Sequence, residues 1–491
     1  MHIQFDNTYA RELEGLYVPW QPTKVTSPRL LQVNMSLGCQ LNLPMGVLSG
    51  PMGSAIFSGN EVPTGATPLA QAYAGHQFGH FSPQLGDGRA VLLGEVIGQG
   101  GRRVDLALKG SGPTPFSRGG DGRAAVGPVL REYLVGEFMH AVGIPTTRTL
   151  AAVWTGELVH REQPLPGAVL TRVAASHLRI GTFEFFAAGK KPHHNIQRLV
   201  DYAIRRHDPQ LADHPERYCE WFRAVVDRQA SLLAQWMLIG FIHGVMNTDN
   251  TTISGETIDY GPCAFMESYD PQAVFSSIDT QGRYAYHNQP NIVQWNLERL
   301  AEAVVPLVSQ VSYQSEVDLF WEILEDFPSR YQDYWLKGVR MKLGFAASEQ
   351  EDDALAKEWL ALLNAQAVDY TLAWRYLADA AEGNDRPLQT MFHDSVALSL
   401  WLEKWRTRLD RERLGSEIRA AAMRSVSPLY IPRNHRVEEA LAAATDGADL
   451  EPFNRLLQAV SRPFDEDSKL DAYVSPAPVE VTACYKTFCG T

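Results

Sequence analysis

Cysteine is scarce in this chain of 491 residues, and long hydrophobic runs are lacking. The five cysteines stand at positions 39, 219, 263, 484 and 489. Their number and spacing exclude the disulfide framework of a small secreted domain and are typical of a reducing compartment. The longest apolar region, residues 231–246, is too short to span a bilayer, and residues 1–6 lack the basic flank and apolar stretch of a signal peptide. We therefore expect a cytoplasmic protein without a membrane partner.

Basic residues are outnumbered by acidic ones. The chain has 44 Lys and Arg against 57 Asp and Glu, which gives a net charge of −13 at pH 7. A nucleic-acid partner requires a basic face, so we expect none. Net charge does not describe a single cleft, however, so the composition still allows a locally basic pocket that binds a small phosphate compound.

The order of sequence patterns predicts an α+β fold with several packed parts. We expect an irregular, proline-rich wrap (1–60), a β-rich nucleotide-binding lobe (61–185), a helical lobe (186–340) and a helical C-terminal extension with a cysteine-containing tail (341–491). The predicted strands are 90–96, 103–109, 151–154 and 168–173. The predicted helices are 123–142, 196–204, 216–240, 295–307, 316–339, 350–365 and 386–412.

The run from His243 to Asn250, followed by Asp259-Tyr260-Gly261, has the frame of a protein-kinase catalytic loop and its metal-binding D-F-G element. In that frame, Asn250 and Asp259 are oxygen ligands for Mg²⁺, which takes few protein ligands and adds substrate phosphates. The proton-accepting Asp of kinases would stand at Val245, which cannot take a proton.

Asp249, directly before Asn250, is the candidate to replace this missing base. The alternative is that Asp249 caps a turn, a position that favours Asp. The sequence therefore indicates either an inactive kinase or different chemistry on ATP.

A lysine and a glutamate upstream have the order of the kinase ATP lysine and its partner. Lys109 ends a predicted strand 21 residues after Gly88, and Glu132 follows 23 residues later on a predicted helix. Gly86-Asp87-Gly88-Arg89 precedes the first of these strands and could approach phosphates. The alternatives are that Gly86-Asp87-Gly88-Arg89 forms a plain turn and that Lys109 faces solvent.

Several stretches together resemble the selenoprotein O family, which are protein adenylyltransferases with a kinase fold. They are Gln71–Gly79, Leu85–Arg89, Lys109–Thr114, His243–Asn250, Asp259–Pro262 and Ile431–His435. The resemblance covers essentially the whole chain. It implies a two-lobed protein-kinase-like fold, with a small β-rich N-lobe and a large helical C-lobe before the extension. It also implies that ATP binds in the reverse of its kinase orientation, so that AMP moves to a Ser, Thr or Tyr hydroxyl of a protein and pyrophosphate leaves.

The resemblance further implies roles for individual residues. The implied nucleotide contacts are Gly86, Gly88, Arg89, Lys109, Asp121, Gly122, Arg172 and Arg179. Asn250 and Asp259 would hold Mg²⁺ or Mn²⁺, Asp249 would be the base, and Glu132 would orient Lys109. The arginine fork suits phosphate oxygens. Without the resemblance, pairing of both arginines with surface acids would be the favoured interpretation.

The resemblance also draws attention to the C-terminal tail, where relatives carry a selenocysteine near the position of Cys489. We expect Cys489 to be a candidate redox residue, with Cys263 as the partner closest in sequence to the metal site. A disulfide requires Cα atoms within about 7 Å, which the sequence does not test.

Three alternatives to adenylyl transfer stay open. A protein uridylyltransferase would use UTP and Mn²⁺. An ordinary phosphotransferase is disfavoured by Val245 and the two additional arginines. A non-catalytic ATP-binding pseudokinase scaffold would not need Lys109, Glu132 and the two metal ligands together.

Overall fold

The structure is a computed structural model that describes residues 3–311 and 314–488. Its strands are β1 (Tyr17–Pro19), β2 (Arg29–Val33), β3 (Leu69–Gln71), β4 (Gly75–Gln77), β5 (His80–Ser82), β6 (Ala90–Ile97), β7 (Arg103–Lys109), β8 (Ala124–Ala125), β9 (Arg148–His160), β10 (Pro164–Ala174), β11 (Phe241–Ile242) and β12 (Ala264–Phe265). Its helices are α1 (Thr8–Glu12), α2 (Met35–Gln40), α3 (Met45–Leu48), α4 (Gly50–Ser58), α5 (Val126–Ala141), α6 (Ile180–Ala187), α7 (Pro192–His207), α8 (Arg217–Leu238), α9 (Gln289–Val311), α10 (Gln314–Glu325), α11 (Phe327–Leu343), α12 (Asp352–Ala365), α13 (Tyr370–Ala381), α14 (Arg386–Gln389), α15 (Ser395–Leu409), α16 (Ser416–Arg424), α17 (Asn434–Asp446), α18 (Glu451–Val460) and α19 (Val479–Cys484). The fold is thus mixed, with the long strands in the first part of the chain and helices in the rest.

The main sheet is antiparallel and has the strand order β1-β3-β6-β7-β10-β9-β2, with β8 paired to β10. At its centre, Lys109 of β7 lies opposite Leu170 of β10, and Arg172 lies opposite Ala107. Residues two apart on a strand face the same side, so Lys109 and Arg172 are diagonal neighbours on one face. The register therefore presents two cations to the same side of the sheet.

The predicted strands are confirmed: 90–96 and 103–109 lie in β6 and β7, and 151–154 and 168–173 lie in β9 and β10. The interiors of β6 and β7 are buried at every position. A strand is buried along its length only where both faces of its sheet are covered. Here Leu92 and Ala107 belong to the core that includes α1 and α5, and Val104 and Leu106 belong to the core that includes α2–α4.

The prediction of an irregular conformation for residues 1–60 was wrong. The segment supplies the two edge strands β1 and β2 and the helices α1–α4. Leu37 and Phe57 are buried against Leu106 of β7. Pro44 stands directly before α3 and Pro51 lies in the first turn of α4, where proline needs no amide hydrogen bond. The prolines therefore mark where elements begin, and the domain boundaries stay predictions.

Helix α5 confirms the prediction for 123–142, although Ala124 and Ala125 form β8 before the helix begins. Its buried face includes Leu130, Tyr133 and Phe138. The returning C-terminal helices pack against it, and the rings of Tyr133 and Phe453 are 6.0 Å apart in an edge-on arrangement. The helix that carries Glu132 is thus held between the sheet and the end of the chain.

The predicted helices 196–204, 216–240, 295–307 and 350–365 correspond to α7, α8, α9 and α12. The segments 316–339 and 386–412 each contain two helices instead of one. Pro328 lies in the first turn of α11 and cannot continue the hydrogen bonds of α10. Asp394 accepts hydrogen bonds from Val396 N and Ala397 N, both at 3.0 Å, and so begins α15 as an N-cap.

Two large apolar cores organise the helical part. The first runs from the sheet through α5 to α6–α10 and includes the returning helices α17 and α18. The second is formed mainly by α11–α16 and is rich in tryptophan, with Trp359, Trp374 and Trp405 almost fully buried.

Candidate active site

A cleft of about 370 Å³ lies beside the face of the sheet that carries Lys109 and Arg172. The residues predicted to act on the nucleotide, the metal or the proton all line it: Gly86, Gly88, Arg89, Lys109, Asp121, Gly122, Glu132, Arg172, Arg179, Asp249, Asn250 and Asp259. They come from segments more than 150 residues apart, so the fold brings the predicted set together.

Lys109 and Glu132 make the contact that their spacing predicts. Lys109 Nζ donates to Glu132 Oε2 at 2.7 Å and to Asp259 Oδ1 at 2.6 Å. Arg172 joins the same carboxylates, with Nε at 2.7 Å from Glu132 Oε1 and Nη2 at 2.5 Å from Asp259 Oδ1. Two cations and two carboxylates thus form one network at the inner wall of the cleft.

The electrostatics of this network keep both carboxylates ionised. Burial alone would raise the pKa of Asp259, but Arg172, Lys109 and Arg179 hold it well below its ordinary value. Arg172 and Lys109 likewise outweigh the burial of Glu132 and lower its pKa. Burial and the neighbouring Arg172 lower the pKa of Lys109, and Asp259 and Glu132 oppose this change.

Arg179 connects the network to the loop that carries Asp249. Its Nη1 donates to Asp259 Oδ2 at 2.9 Å and to the Asp249 main-chain oxygen at 2.8 Å. The Tyr73 ring lies 4.6 Å from the guanidinium carbon of Arg179, at a cation–π distance. Asp259 itself has φ +61°, a left-handed conformation that Asp adopts more readily than most residues.

Asp249 lies in the short 3₁₀ turn Thr248–Asn250 and is buried. Its Oδ1 has no hydrogen-bond partner among the described residues. Burial raises the pKa of Asp249 to about 7, although Arg179 opposes the rise. A Cβ atom at Gly75 would overlap the Oδ1 of Asp249, so this glycine lets the backbone approach the carboxylate.

The turn is held by polar contacts to its neighbours. Asn250 Nδ2 donates to the Val245 oxygen at 3.0 Å, so the amide oxygen is the atom of this side chain that is suited to accept or to coordinate. His243 is fully buried, and its Nε2 lies 2.9 Å from the Ile258 oxygen. His243 therefore links the loop of residues 243–250 to the segment that leads into Asp259.

The glycine-containing segments of the opposite wall approach one another closely. Gly86, with φ +67°, would overlap the Phe116 ring if it carried a Cβ atom, and Gly122, with φ +64°, would overlap the backbone of Gly112. Only glycine fits these positions. Both glycines thereby bring backbone, not side chains, to the edge of the cleft.

Sequence reasoning missed other residues that line the cleft, including Tyr73, Gln77 and Arg161. Tyr73 and Gln77 belong to the Gln71–Gly79 stretch that carries the resemblance, so their position could have been inferred. Arg161 stands in the turn between β9 and β10, and no motif marked it.

The two candidate redox residues are placed differently. Cys263 is buried next to the cleft residue Pro262, and burial raises the pKa of its thiol to about 12. Cys489 lies outside the described residues. Thr487, two residues before it, donates from Oγ1 to the Pro262 oxygen at 2.7 Å. The tail thus reaches the immediate neighbour of Cys263, and the disulfide stays a prediction.

Two features of other classes of protein are absent from the described part of the chain. Within residues 3–311 and 314–488, no helix has the length and apolar character needed to cross a membrane. In the same residues, no group of three or more His, Cys, Asp or Glu side chains forms a metal cage. The Asn250 amide and the Asp259 carboxylate suit an ion that takes its other ligands from phosphate and water.

The cleft, taken together with comparisons to known proteins, defines a protein nucleotidyltransferase. The family model for protein adenylyltransferase SelO matches residues 1–461, and the chain belongs to this family. The chain is 57% identical to protein nucleotidyltransferase YdiU of Cereibacter sphaeroides over 100% of both chains. It is 55% identical to the protein of the same name from Rhizobium meliloti (100% of this chain, 99% of the relative) and 56% identical to that from Chromobacterium violaceum (97% and 99%). The resemblance seen in the motifs is confirmed.

Proposed function

We propose that the cleft binds ATP and that Asp249 is the base for transfer of AMP to a protein hydroxyl. Adenylyl transfer to protein is the activity of the family to which the chain belongs. The observation that supports Asp249 is its buried, unpartnered Oδ1 at the wall of the cleft that holds Lys109 and Arg179. An unpaired buried carboxylate oxygen is costly and is available to accept a proton.

The proposed step balances as follows. The acceptor oxygen attacks the α-phosphorus of ATP and forms a P–O bond, while its proton passes to Asp249. The bond from the α-phosphorus to the oxygen that bridges to the β-phosphate breaks, and pyrophosphate leaves. A raised pKa near neutrality suits a residue that takes up and releases a proton.

Lys109, Arg172 and Arg179 are the proposed contacts for the phosphates, and Gly86, Gly88, Arg89, Asp121 and Gly122 complete the nucleotide site. Each of the three cations already faces the Asp259 carboxylate. Anionic oxygens of the nucleotide can share these donors, because lysine has three N–H groups and arginine has five. Fixed cations then stabilise the charge that develops on pyrophosphate. Reversal of ATP relative to kinases is part of this proposal.

Asn250 and Asp259 are the proposed ligands of Mg²⁺ or Mn²⁺. The donor set fits, because Asp259 is ionised and the amide nitrogen of Asn250 is used by Val245. When bound, such an ion neutralises phosphate charge and orients the phosphates. The chain's own part is to hold an ionised carboxylate and an amide oxygen at the cleft.

Further parts of the proposal concern architecture and targets. The sheet with α5 would form the N-lobe of a kinase-like pair of lobes, and the helices from α6 onward would form the C-lobe. The acceptors would be Ser, Thr or Tyr hydroxyls of proteins. A cytoplasmic location is supported by the sparse cysteines, of which Cys39, Cys219, Cys263 and Cys484 are free thiols.

The alternatives are less well supported. The family's description specifies adenylyl transfer, so use of UTP is not favoured. Retention of the whole charged network, and membership of a family of enzymes, argue against a non-catalytic scaffold.

The test compares α-labelled with γ-labelled ATP in the presence of Mg²⁺ or Mn²⁺, with Asp259→Ala as the inactive control. We expect label from the α position to appear on protein and none from the γ position. Label only from the γ position would show a phosphotransferase, and no label from either would support the scaffold.

A further inference from the structure

The mouth of the cleft carries a carboxylate where a polyanion has to enter. Asp121 is exposed and lines the same cleft as the phosphate-binding cations. An uncompensated carboxylate at this position would repel a triphosphate. What neutralises Asp121 therefore matters for nucleotide binding.

Arg161 supplies this neutralisation with a two-point contact. Its Nη1 lies 2.8 Å from Asp121 Oδ2, and its Nη2 lies 3.2 Å from Asp121 Oδ1. The hydrogen bond from Arg161 is the largest cause of the lowered pKa of Asp121. A forked arginine–carboxylate pair fixes orientation as well as charge.

The same guanidinium also ties two segments of backbone together. Arg161 Nη1 donates to the His160 oxygen at 2.8 Å, and Nη2 donates to the Arg123 oxygen at 3.1 Å. Asp121 Oδ1 in addition accepts a hydrogen bond from Arg123 N at 2.9 Å. The turn between β9 and β10 is thereby fastened to the loop 117–123, which forms the outer wall of the cleft.

These contacts engage both oxygens of the Asp121 carboxylate within the protein, although the side chain stays exposed at its outer side. Both of its oxygens face Arg161, and one also caps the backbone of its own loop. Its carboxylate is therefore better suited to holding Arg161 and the loop than to contacting the nucleotide directly. The backbone at Gly122 and other residues of the loop, such as Arg118, line the cleft as well and can face the ligand.

We propose that Arg161 is a positioning residue for nucleotide binding, which holds the loop 117–123 at the cleft through Asp121 and cancels the charge of that carboxylate. The inference rests on the proposed function, because it assumes that the cleft receives the triphosphate. It assigns Asp121 an indirect role, in contrast to the direct nucleotide contact expected from the resemblance.

The test is a double-mutant cycle on ATP binding, measured by calorimetry with the full chain and Mg²⁺, together with KM and kcat for AMP transfer. Arg161→Ala removes the main partner of the Asp121 charge and leaves the weaker influence of Arg123, so we expect the Kd and KM for ATP to rise about tenfold, with a smaller change in kcat. Adding Asp121→Asn removes that charge, and we expect the double variant to recover to within about threefold of the unmodified chain.

Two further variants control the cycle. Arg161→Lys keeps the charge but loses the fork, and we expect an intermediate Kd; this variant also serves if the alanine variant does not fold. Arg205→Ala removes an exposed ion pair with Glu12, at 2.8 Å, that does not line the cleft, and we expect an unchanged Kd.

The opposite coupling would overturn the inference. If Asp121 contacts the nucleotide directly, the double variant will bind ATP more weakly than either single variant. Unchanged affinity in Arg161→Ala would also exclude the positioning role. Because binding is measured separately, ATP binding without AMP transfer in the unmodified chain would contradict the proposed function and leave the cycle informative.

Discussion

Two lysines, Lys109 partly buried in the cleft and Lys342 buried in the helical extension, have opposite surroundings. Lys109 contacts the carboxylates of Glu132 and Asp259 at 2.7 and 2.6 Å. Lys342, near the end of α11, donates to the Val426 oxygen at 3.0 Å and lies 5.7 Å from the Trp374 ring centre. No carboxylate in the described part of the chain contributes to the pKa of Lys342, which burial lowers to about 7.

The comparison separates the proposed phosphate site from a buried lysine that has no such surroundings. Burial lowers the pKa of both lysines, so burial alone does not identify a functional residue. Lys109 lies among two carboxylates and further arginines, and phosphate oxygens can join that network. Lys342 donates to a main-chain carbonyl oxygen and packs against the ring of Trp374. These contacts do not require the further cations that surround Lys109. The following predictions test this contrast, beginning with the largest effect.

Asp259 is the centre of the charged network, since Lys109, Arg172 and Arg179 all contact it. We expect Asp259→Ala to lower AMP transfer by at least about 10³-fold, because the metal ligand and the shared partner of the cations are both lost. The rate of α-label incorporation measures this. Transfer within tenfold of the unmodified rate would contradict the central role.

Asp249 tests the proposed base separately from the cations. We expect Asp249→Ala to lower kcat by about 10³-fold while ATP affinity stays largely intact, because the carboxylate acts on the acceptor's proton. Single-turnover transfer and calorimetry distinguish the two quantities. Full activity would exclude Asp249 as the base and favour a structural role for the turn.

Lys109→Met removes one cation and keeps a chain of similar length. We expect a decrease in transfer of about 10²-fold, because a fixed cation is lost from the phosphate site. The matched control is Lys342→Met, which removes a buried lysine outside the cleft and should leave transfer unchanged. Equal losses in the two variants would show that general destabilisation, not phosphate binding, explains the effect.

The sequence predicted local and motif-based features well. The 23-residue spacing of Lys109 and Glu132 predicted a contact between a strand and a helix, and that contact is present at 2.7 Å. The strands β6 and β7 followed from short apolar runs between glycine-rich turns. The strand predictions succeeded because each depends on a segment whose own residues decide its structure, whereas the Lys109–Glu132 contact could be predicted because it belongs to a recurring motif.

Long-range polar contacts could not be predicted in the same way. Arg161 meets Asp121 across 40 residues because β8, just after Asp121, pairs with β10, just after Arg161. Lys342 is buried although it is a lysine, and its acceptor lies 84 residues further along the chain. Residues 1–60 looked irregular because proline marks element starts as well as loops. Such partners are set by packing, which leaves no periodic signal in the sequence.

Lys342 also gives the smallest and most specific prediction, which concerns stability. Its pKa in the folded protein is about 7, against an ordinary value of 10.5. Between pH 7 and 10.5 the unfolded chain therefore binds a proton that the folded chain does not. The free energy of unfolding should rise with pH across this range, and below about pH 7 the full cost of burying this lysine remains.

Lys342→Met removes this titration, although it leaves the Val426 oxygen without its donor. We expect the variant to be more stable by roughly 1–2 kcal/mol at pH 6–7, with the difference decreasing toward pH 10, because the cost of the unpaired carbonyl offsets part of the gain. Denaturant unfolding of both chains at several pH values measures the difference. A difference independent of pH would show that Lys342 stays charged inside the fold, and the contrast with Lys109 would then rest on geometry alone.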